Sequence, residues 1–368
     1  MEKGQISPLQ MAMLLFPTIV ATAILSVPST TAKYAPHDLW MTPIFSSVTG
    51  FVTVLLAFKL HQLYPKQTVI QFSEKILGKF FGKFISLFIL LYYIKSTGEI
   101  VRDYSEFIIS SFLFKTPMVV ITSTMILLCA MAVRSGIEVL GRLAQLFFPL
   151  FVIPLFILIL LLIPNYNLGN IFPILEHGIG PPLKGSIILS GWFAEFFIIT
   201  FLIPFLVDTQ KGIKYGLFTV LSVMMTLVLV NLTVLFVLGI TTSSKVYPLM
   251  NVGRYISYAD FFENLESVIM AVWIVGAFIK ISLFYYVVVL ATAQWLNLSN
   301  SKLIIWPSAI IIVEFSFWAI PSTMKYQGYQ IVVLPPIDLL IQIIIPFLLL
   351  FVALFKNWKK KKVHTSTG

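Results

Sequence analysis

The chain has 368 residues, of which 58% are hydrophobic and 11% charged, with a mean hydropathy of +0.96 and a formal net charge of +10. Such a composition excludes a soluble domain. Apolar runs of about 20 residues, each long enough to cross ~30 Å of hydrocarbon, recur from end to end. One polytopic membrane domain, 1–368, therefore accounts for the whole chain. The positive balance is also what a nucleic-acid binder carries, but here the cations flank the apolar runs. There they meet lipid headgroups and set orientation, so the expected partner is the bilayer and no nucleic acid. The single cysteine, Cys129, lies inside an apolar run and reads as a small buried hydrophobe. Residues 7–27 are too long for a signal h-region and hold two interior prolines, so no cleavable signal is expected.

Taken in order, the spans read 9–28, 40–63, 84–112, 119–133, 143–163, 185–207, 213–240, 268–296, 303–320 and 333–355. Ten spans put both termini on one side. With the termini inside, sixteen of the 25 Lys and Arg flank the inner ends and six the outer ends, so the positive-inside rule places both termini in the cytoplasm. The inner segment 67–83 interleaves Ile70, Phe72, Ile76, Leu77, Phe80 and Phe81 with lysines and reads as an amphipathic helix on the membrane surface. The outer loop 165–183 is rich in Pro, Gly and Asn. The outer loop 241–267 carries Tyr247, Tyr255, Tyr258, Asp260, Glu263 and Glu266 and is long enough for a short helix or lid. Residues 356–368 read as a basic cytoplasmic tail.

Two spans carry irregular chemistry. In the sixth, Ser190-Gly191-Trp192-Phe193-Ala194-Glu195 places an acid beside small residues, and Pro204 follows in the same span. A carboxylate at the centre of a bilayer span costs roughly 2.5–3.5 kcal/mol on insertion scales, so Glu195 must face protein or a cavity. In the first, Pro17 precedes Ala21-Thr22-Ala23-Ile24-Leu25-Ser26-Val27-Pro28. Each half holds five spans, an odd number, so the two stretches are inverted counterparts. Interrupted helices at matching positions in two halves point to a transporter-type binding site. The candidate ligand-binding residues are therefore Ala21, Thr22, Ala23, Ile24, Ser190, Gly191, Ala194 and Glu195, offering backbone amides and carbonyls to a small polar ligand. Tight packing through small residues explains the same composition.

The third span carries Lys95, Glu99, Arg102, Asp103 and Glu106 on one helical stripe, and Lys280 lies near the middle of the eighth. With Lys280, this intramembrane charge network either lines an outer vestibule or forms an ion-pair ladder between helices or toward a partner subunit, the alternating signs favouring the ladder. Glu314 reads as a helix–helix contact, Tyr285 and Tyr286 as packing, and Asn231 and Thr233 as bonds between helices. His37, His61, His177 and His364 are scattered, so neither metal nor cofactor is expected. With no phosphate loop and no nucleophile–base pair, the chain does not read as an enzyme.

The small residues, Ile-Leu and Pro of the first span, with Gly191 and Glu195 in the sixth, resemble the amino acid–polyamine–organocation superfamily. The start Gln5-Ile6-Ser7-Pro8, the run Trp273-Ile274 through Phe278-Ile279-Lys280, and Phe284-Tyr285-Tyr286 narrow this to the B subunits of nutrient germinant receptors of spore-forming bacteria. The resemblance covers essentially the whole chain. It implies an all-α membrane protein with the five-plus-five inverted-repeat transporter fold, broken first and sixth helices, a first repeat at about 9–163 and a second at about 185–355. It implies a subunit that binds a small nutrient, an amino acid or sugar, at mid-membrane and signals spore germination with A and C partner subunits in the spore's inner membrane. The alternative is a proton- or sodium-coupled amino acid or polyamine transporter. In that fold the first and eighth spans can share a sodium site, which a lysine occupies in some relatives, so Lys280 either replaces sodium beside Thr22 or pairs with Glu195. The family's first span usually carries two glycines where this chain has Ala21 and Ala23.

Overall fold

A computed structural model describes residues 4–253, 257–258, 262–263, 266–318, 329 and 332–365, with side chains to residue 358 except at residue 266 and the two short strands. Arg254, Tyr255, Asp260, Lys325, the end of the ninth span at Ile320 and the last residues of the tail lie outside the described residues. So do the side chains of Glu266, Lys359 to Lys362 and His364.

Helix α1 (Pro8–Ala32) opens on a capping box in which Ser7 and Gln10 satisfy each other's backbone N–H, with Pro8 in the first turn where its missing N–H costs nothing. There follow α2 (Thr42–Leu63), α3 (Val69–Leu77), α4 (Lys79–Ser111), α5 (Met118–Arg134) and α6 (Ile137–Leu162). The sixth span begins as α7 (Gly180–Ala194) and passes through a 3₁₀ segment (Glu195–Ile198), one α turn, α8 (Ile199–Leu202), and a second 3₁₀ turn (Ile203–Phe205). The chain continues with α9 (Thr209–Leu238), the short α10 (Pro248–Gly253), a two-residue antiparallel pairing of Ser257–Tyr258 with Phe262–Glu263, α11 (Glu266–Trp295) and α12 (Ile305–Trp318). The tenth span is α13 (Leu334–Leu339), a π-helical turn (Leu340–Ile344) and α14 (Ile345–Thr365).

Among the described residues, nine spans are long and apolar enough to cross a membrane, and the 17-residue α5 is a further apolar helix. At 1.5 Å per residue α5 reaches about 26 Å, close to the hydrocarbon thickness, so ten crossings fit. Burial sorts them. The apolar windows of α1, the sixth span and α11 are 78–83% buried, whereas those of α6, α12 and the tenth span are 28% buried and take the lipid-facing positions.

The packing has two quartets. Helices α1 and α2 pack with the sixth span and α9, while α4 and α5 pack with α11 and α12. Each quartet draws two consecutive spans from each half, the partition that an inverted repeat produces. Bonds between elements of one quartet support it: Ser46 Oγ donates to the Ser186 carbonyl at 2.8 Å, and Asn231 Nδ2 to the Leu39 carbonyl at 2.9 Å. Asn231 thus bonds to the 3₁₀ turn Leu39–Met41 that leads into α2, whereas Thr233 bonds not to another helix but to the loop after α6, its hydroxyl 2.7 Å from that of Tyr166. The N-terminal strand is clipped to the foot of the sixth span, Ile6 N–H donating to Phe205 O at 2.9 Å and Val207 N–H to Ile6 O at 3.1 Å.

Three further expectations are corrected. The segment 67–83 is not one surface helix. Gly78, at φ +85°, separates α3 from α4, and Ile70, Phe72 and Ile76 pack inward, while Phe80 and Phe81 stay exposed on the first turn of α4. The first span is not unwound at Ala21 to Ser26: α1 is continuous from Pro8 to Ala32, with Pro17 and Pro28 absorbed inside it. Glu314 is exposed on α12 rather than buried in a contact.

Gly82 shows how closely α3 and α4 approach. A Cβ there would lie 2.4 Å from the Cα and 2.7 Å from the N of Glu74, backbone atoms that cannot step aside. Gly82→Ala is expected to cost about 1–3 kcal/mol by overpacking. It should lower the unfolding midpoint of the detergent-solubilised protein, whereas Gly180→Ala, with open space around it, should leave that midpoint unchanged.

Candidate functional site

The interruption of the sixth span follows from its residues. Ser190, Gly191 and Ala194 present little side chain to brace the helix, and Pro204 has no N–H to continue it. The α ladder gives way to 3₁₀ at Glu195, a mid-helix change of the kind that marks functional hinges. Glu195 is thereby turned toward α1 and α11.

Lys280, on α11, is buried to 1% exposure and directs its ammonium to meet it. Its Nζ donates to Glu195 Oε1 at 2.9 Å and Oε2 at 2.7 Å, and to Thr22 Oγ1 at 2.8 Å. The three N–H bonds of the ammonium are thus satisfied. Thr22 Oγ1 also accepts Trp192 Nε1 at 3.2 Å, and the Phe284 ring lies 5.4 Å from the ammonium. One cation therefore joins the first, sixth and eighth spans. Lys280 makes the pairing with Glu195 and reaches α1 through the Thr22 hydroxyl, not through unwound carbonyls.

This junction forms part of the wall of a cavity of about 190 Å³, well above the ~10–15 Å³ that one water needs. Of the sequence-derived residues, Thr22, Glu195, Lys280, Glu99, Asp103 and Glu106 line it. Ala21, Ala23, Ile24 and Ala194 are buried behind the wall. Ala21 packs on α11, its Cβ lying 2.7 Å from where Gly276 would carry one. Ser190 bonds back to the Ser186 carbonyl at 2.8 Å, and Gly191 lies against Asp338. The charge stripe of α4 resolves into pairs within the helix, Lys95 with Glu99 at 2.8 Å and Arg102 with Glu106 at 2.7 Å, while Glu99, Asp103 and Glu106 show their carboxylate face to the cavity. Vestibule lining and ladder are both present, but the ladder runs along one helix.

Sequence reasoning passed over Asp338, Tyr92, Trp192 and Trp273, all on the same wall. Asp338 Oδ1 accepts the Tyr92 hydroxyl at 2.8 Å, and Tyr92 accepts Gln342 Nε2 at 2.8 Å. A signal for Asp338 was present: an acid after two prolines at the head of an apolar run, open to the desolvation argument that marks Glu195. A π-helical turn begins two residues later.

Residues 5–323 match the spore germination protein family, a spore permease family. The chain belongs to that family. It is similar to spore germination protein KB of Bacillus subtilis (strain 168), 26% identical over 377 residues with 100% of this chain and 99% of that one covered. Spore germination protein XB of Bacillus anthracis is 21% identical, with 69% and 72% covered. Among solved structures, MhsT in complex with L-phenylalanine matches with a TM-score of 0.68 at 12% identity, over 96% of this chain and 89% of that one. A substrate-bound, outward-open Na+-coupled sialic acid symporter matches with a TM-score of 0.56 at 14% identity, over 90% and 79%. At these identities the structures speak to the fold alone, and they bear out an all-α, five-plus-five inverted-repeat transporter fold for this family member. The chain is a multi-pass membrane protein of a spore germination family.

The buried pair yields a direct test. Removing one partner leaves a charge with no counter-ion, which costs about 3–5 kcal/mol in buried pairs. Lys280→Met is expected to depress the unfolding midpoint strongly, and Lys280→Met combined with Glu195→Gln to recover part of the loss. A double substitution whose loss equals the sum of the two single losses would mean that the two charges do not depend on each other.

Proposed function

We propose that this protein is the nutrient-binding subunit of a germinant receptor, taking a small nutrient into the cavity bounded by the first, third, sixth, eighth and tenth spans and signalling with A and C partner subunits. The observation that carries the reading is the Lys280–Glu195–Thr22 junction, which ties three spans together on the wall of that cavity at the point where the sixth span leaves the α-helix. Family membership supports the germination context. Thr22, Leu25 and Ser26 of the first irregular stretch and Trp192 and Glu195 of the second line the cavity. Ala21 and Gly191 act from behind, setting how closely α11 and the tenth span approach.

A ligand shifts a conformational equilibrium only by its differential affinity for the two arrangements. Here the two arrangements differ in how the segment from Glu195 to Phe205 sits against α1 and α11, and a ligand touching Thr22 and Glu195 contacts both sides of that boundary. The membrane is the spore's inner membrane, with both termini in the cytoplasm, as the placement of the cations supports.

A second reading, coupled transport of the nutrient, draws on the fold shared with the sialic acid symporter and MhsT. Under it, Lys280 makes sodium dispensable at the junction of the first and eighth spans, and coupling falls to protons.

Spores carrying Glu195→Gln or Gly191→Leu are expected to lose nutrient-triggered germination while the A and C partners remain at normal levels. Purified wild-type protein is expected to bind one or more members of a panel of amino acids and sugars. Accumulation of labelled nutrient at ordinary carrier rates in vesicles holding this subunit alone would favour the transport reading instead.

A further inference from the structure

Glu195 is answered within the chain by Lys280. Asp338 is not. Its carboxylate lies on the same wall, and the donor it receives, the Tyr92 hydroxyl, is neutral, as is the Gln342 amide that supports Tyr92. Its Oδ2 lies 2.7 Å from where a Cβ on Gly191 would stand, so the sixth span offers no side chain there. Among the described residues, no Lys, Arg or His forms an ion pair with it. Lys280 has its three bonds committed, Lys95 is held by Glu99, and Arg102 is held by Glu106. Asp338 is thus a half-buried acid on the cavity wall with no ion pair among the described residues, and it becomes neutral either by holding a proton or by receiving a cation from outside the chain.

The surrounding wall suits a compact organic cation. Tyr92, Trp192 and Trp273 line it, and aromatic faces attract an ammonium group. An anion meets Lys33 and Lys245 on the segments that follow α1 and α9, but finds less beside Asp338. The backbone of α1 remains helical past Ala21 to Ser26, so its amides are engaged along the helix, and the deep lysine is already spent. A bare metal ion also finds less, since hard cations take about six or more oxygen ligands and the helical carbonyls are in use.

We propose that Asp338 is the counter-charge for the ligand, and that the cavity selects a small organic ammonium compound by its amine, without needing a carboxylate. This rests on the cavity being the ligand site, and it adds the residue that sets the ligand's class.

The test uses full-length protein in nanodiscs and isothermal titration, with 3-amino-1-propanol, its uncharged counterpart 1,3-propanediol, L-alanine, D-glucose and potassium chloride as probes. The amino alcohol should bind and the diol should not. Asp338→Asn should weaken the amino alcohol at least tenfold, Asp338→Glu should restore part of that loss, and Glu138→Gln, at the exposed pair with Arg142, should change nothing. If Asp338→Asn does not fold, Gly191→Ala serves in its place. Its new methyl would meet the Asp338 carboxylate, and amine binding should weaken while the unfolding midpoint of the ligand-free protein stays close to wild type. Amine binding that is unchanged in Asp338→Asn overturns the proposal, as does displacement of the amine by potassium at equal concentration. Binding of L-alanine without binding of the amino alcohol overturns it in favour of a zwitterion. Glucose binding alone overturns the ammonium assignment but leaves the cavity as the ligand site. Binding of no probe counts against the cavity itself.

Discussion

The structure depends on one buried cation. Lys280 sits in the eighth span with almost no exposure, and an ammonium there can stay charged only while its three N–H bonds have oxygen partners. Those partners come from two other spans, Glu195 and Thr22. The desolvation penalty that would make Lys280 a defect in isolation thus becomes a constraint on three helices at once. None of them can shift relative to the others without exposing a charge or finding it a new partner, which is how a packed interior acquires two discrete arrangements instead of a continuum.

The third span handles its charges differently. Lys95 with Glu99 and Arg102 with Glu106 pair at i, i+4 along α4, so these cations are spent inside the helix that carries them. Local pairing holds the stripe in place, Lys95 also lies 5.2 Å from the Tyr329 ring, and Glu99, Asp103 and Glu106 line the cavity. The wall so formed is acidic along the third span, neutralised at the sixth and eighth, and acidic again at Asp338 on the tenth.

Most of the architecture was legible in the residues. Ten apolar runs, the flanking cations and two inverted irregular stretches pointed to the fold, and the acid among small residues pointed to the place where the sixth span breaks. What composition could not distinguish was a helix that breaks from one that merely looks breakable. In α1 the hydroxyls turn back onto their own helix: Thr18 to Leu14 O, Ser26 to Thr22 O, Thr30 to Ser26 O and Thr31 to Val27 O. These bonds satisfy the side chains inside the coil, and two prolines are accommodated without loss of the helix. Nor does a single sequence reveal which side of a helix meets a cavity. Ala21 and Gly191 stand out for their smallness, which serves the approach of Gly276 behind the wall and of Asp338 on it. Asp338 itself depends on Tyr92, 246 positions away, a distance over which no local pattern speaks.

The clip between Ile6 and the foot of the sixth span has a consequence for how events at the cavity become visible elsewhere. Its two backbone bonds bracket Phe205 and Val207, just past the last 3₁₀ turn of the interrupted segment. Backbone pairing transmits displacement regardless of side-chain identity, so the leading strand and the lower sixth span behave as a single lever. Ile6, itself fully buried, therefore follows any movement of the lower sixth span.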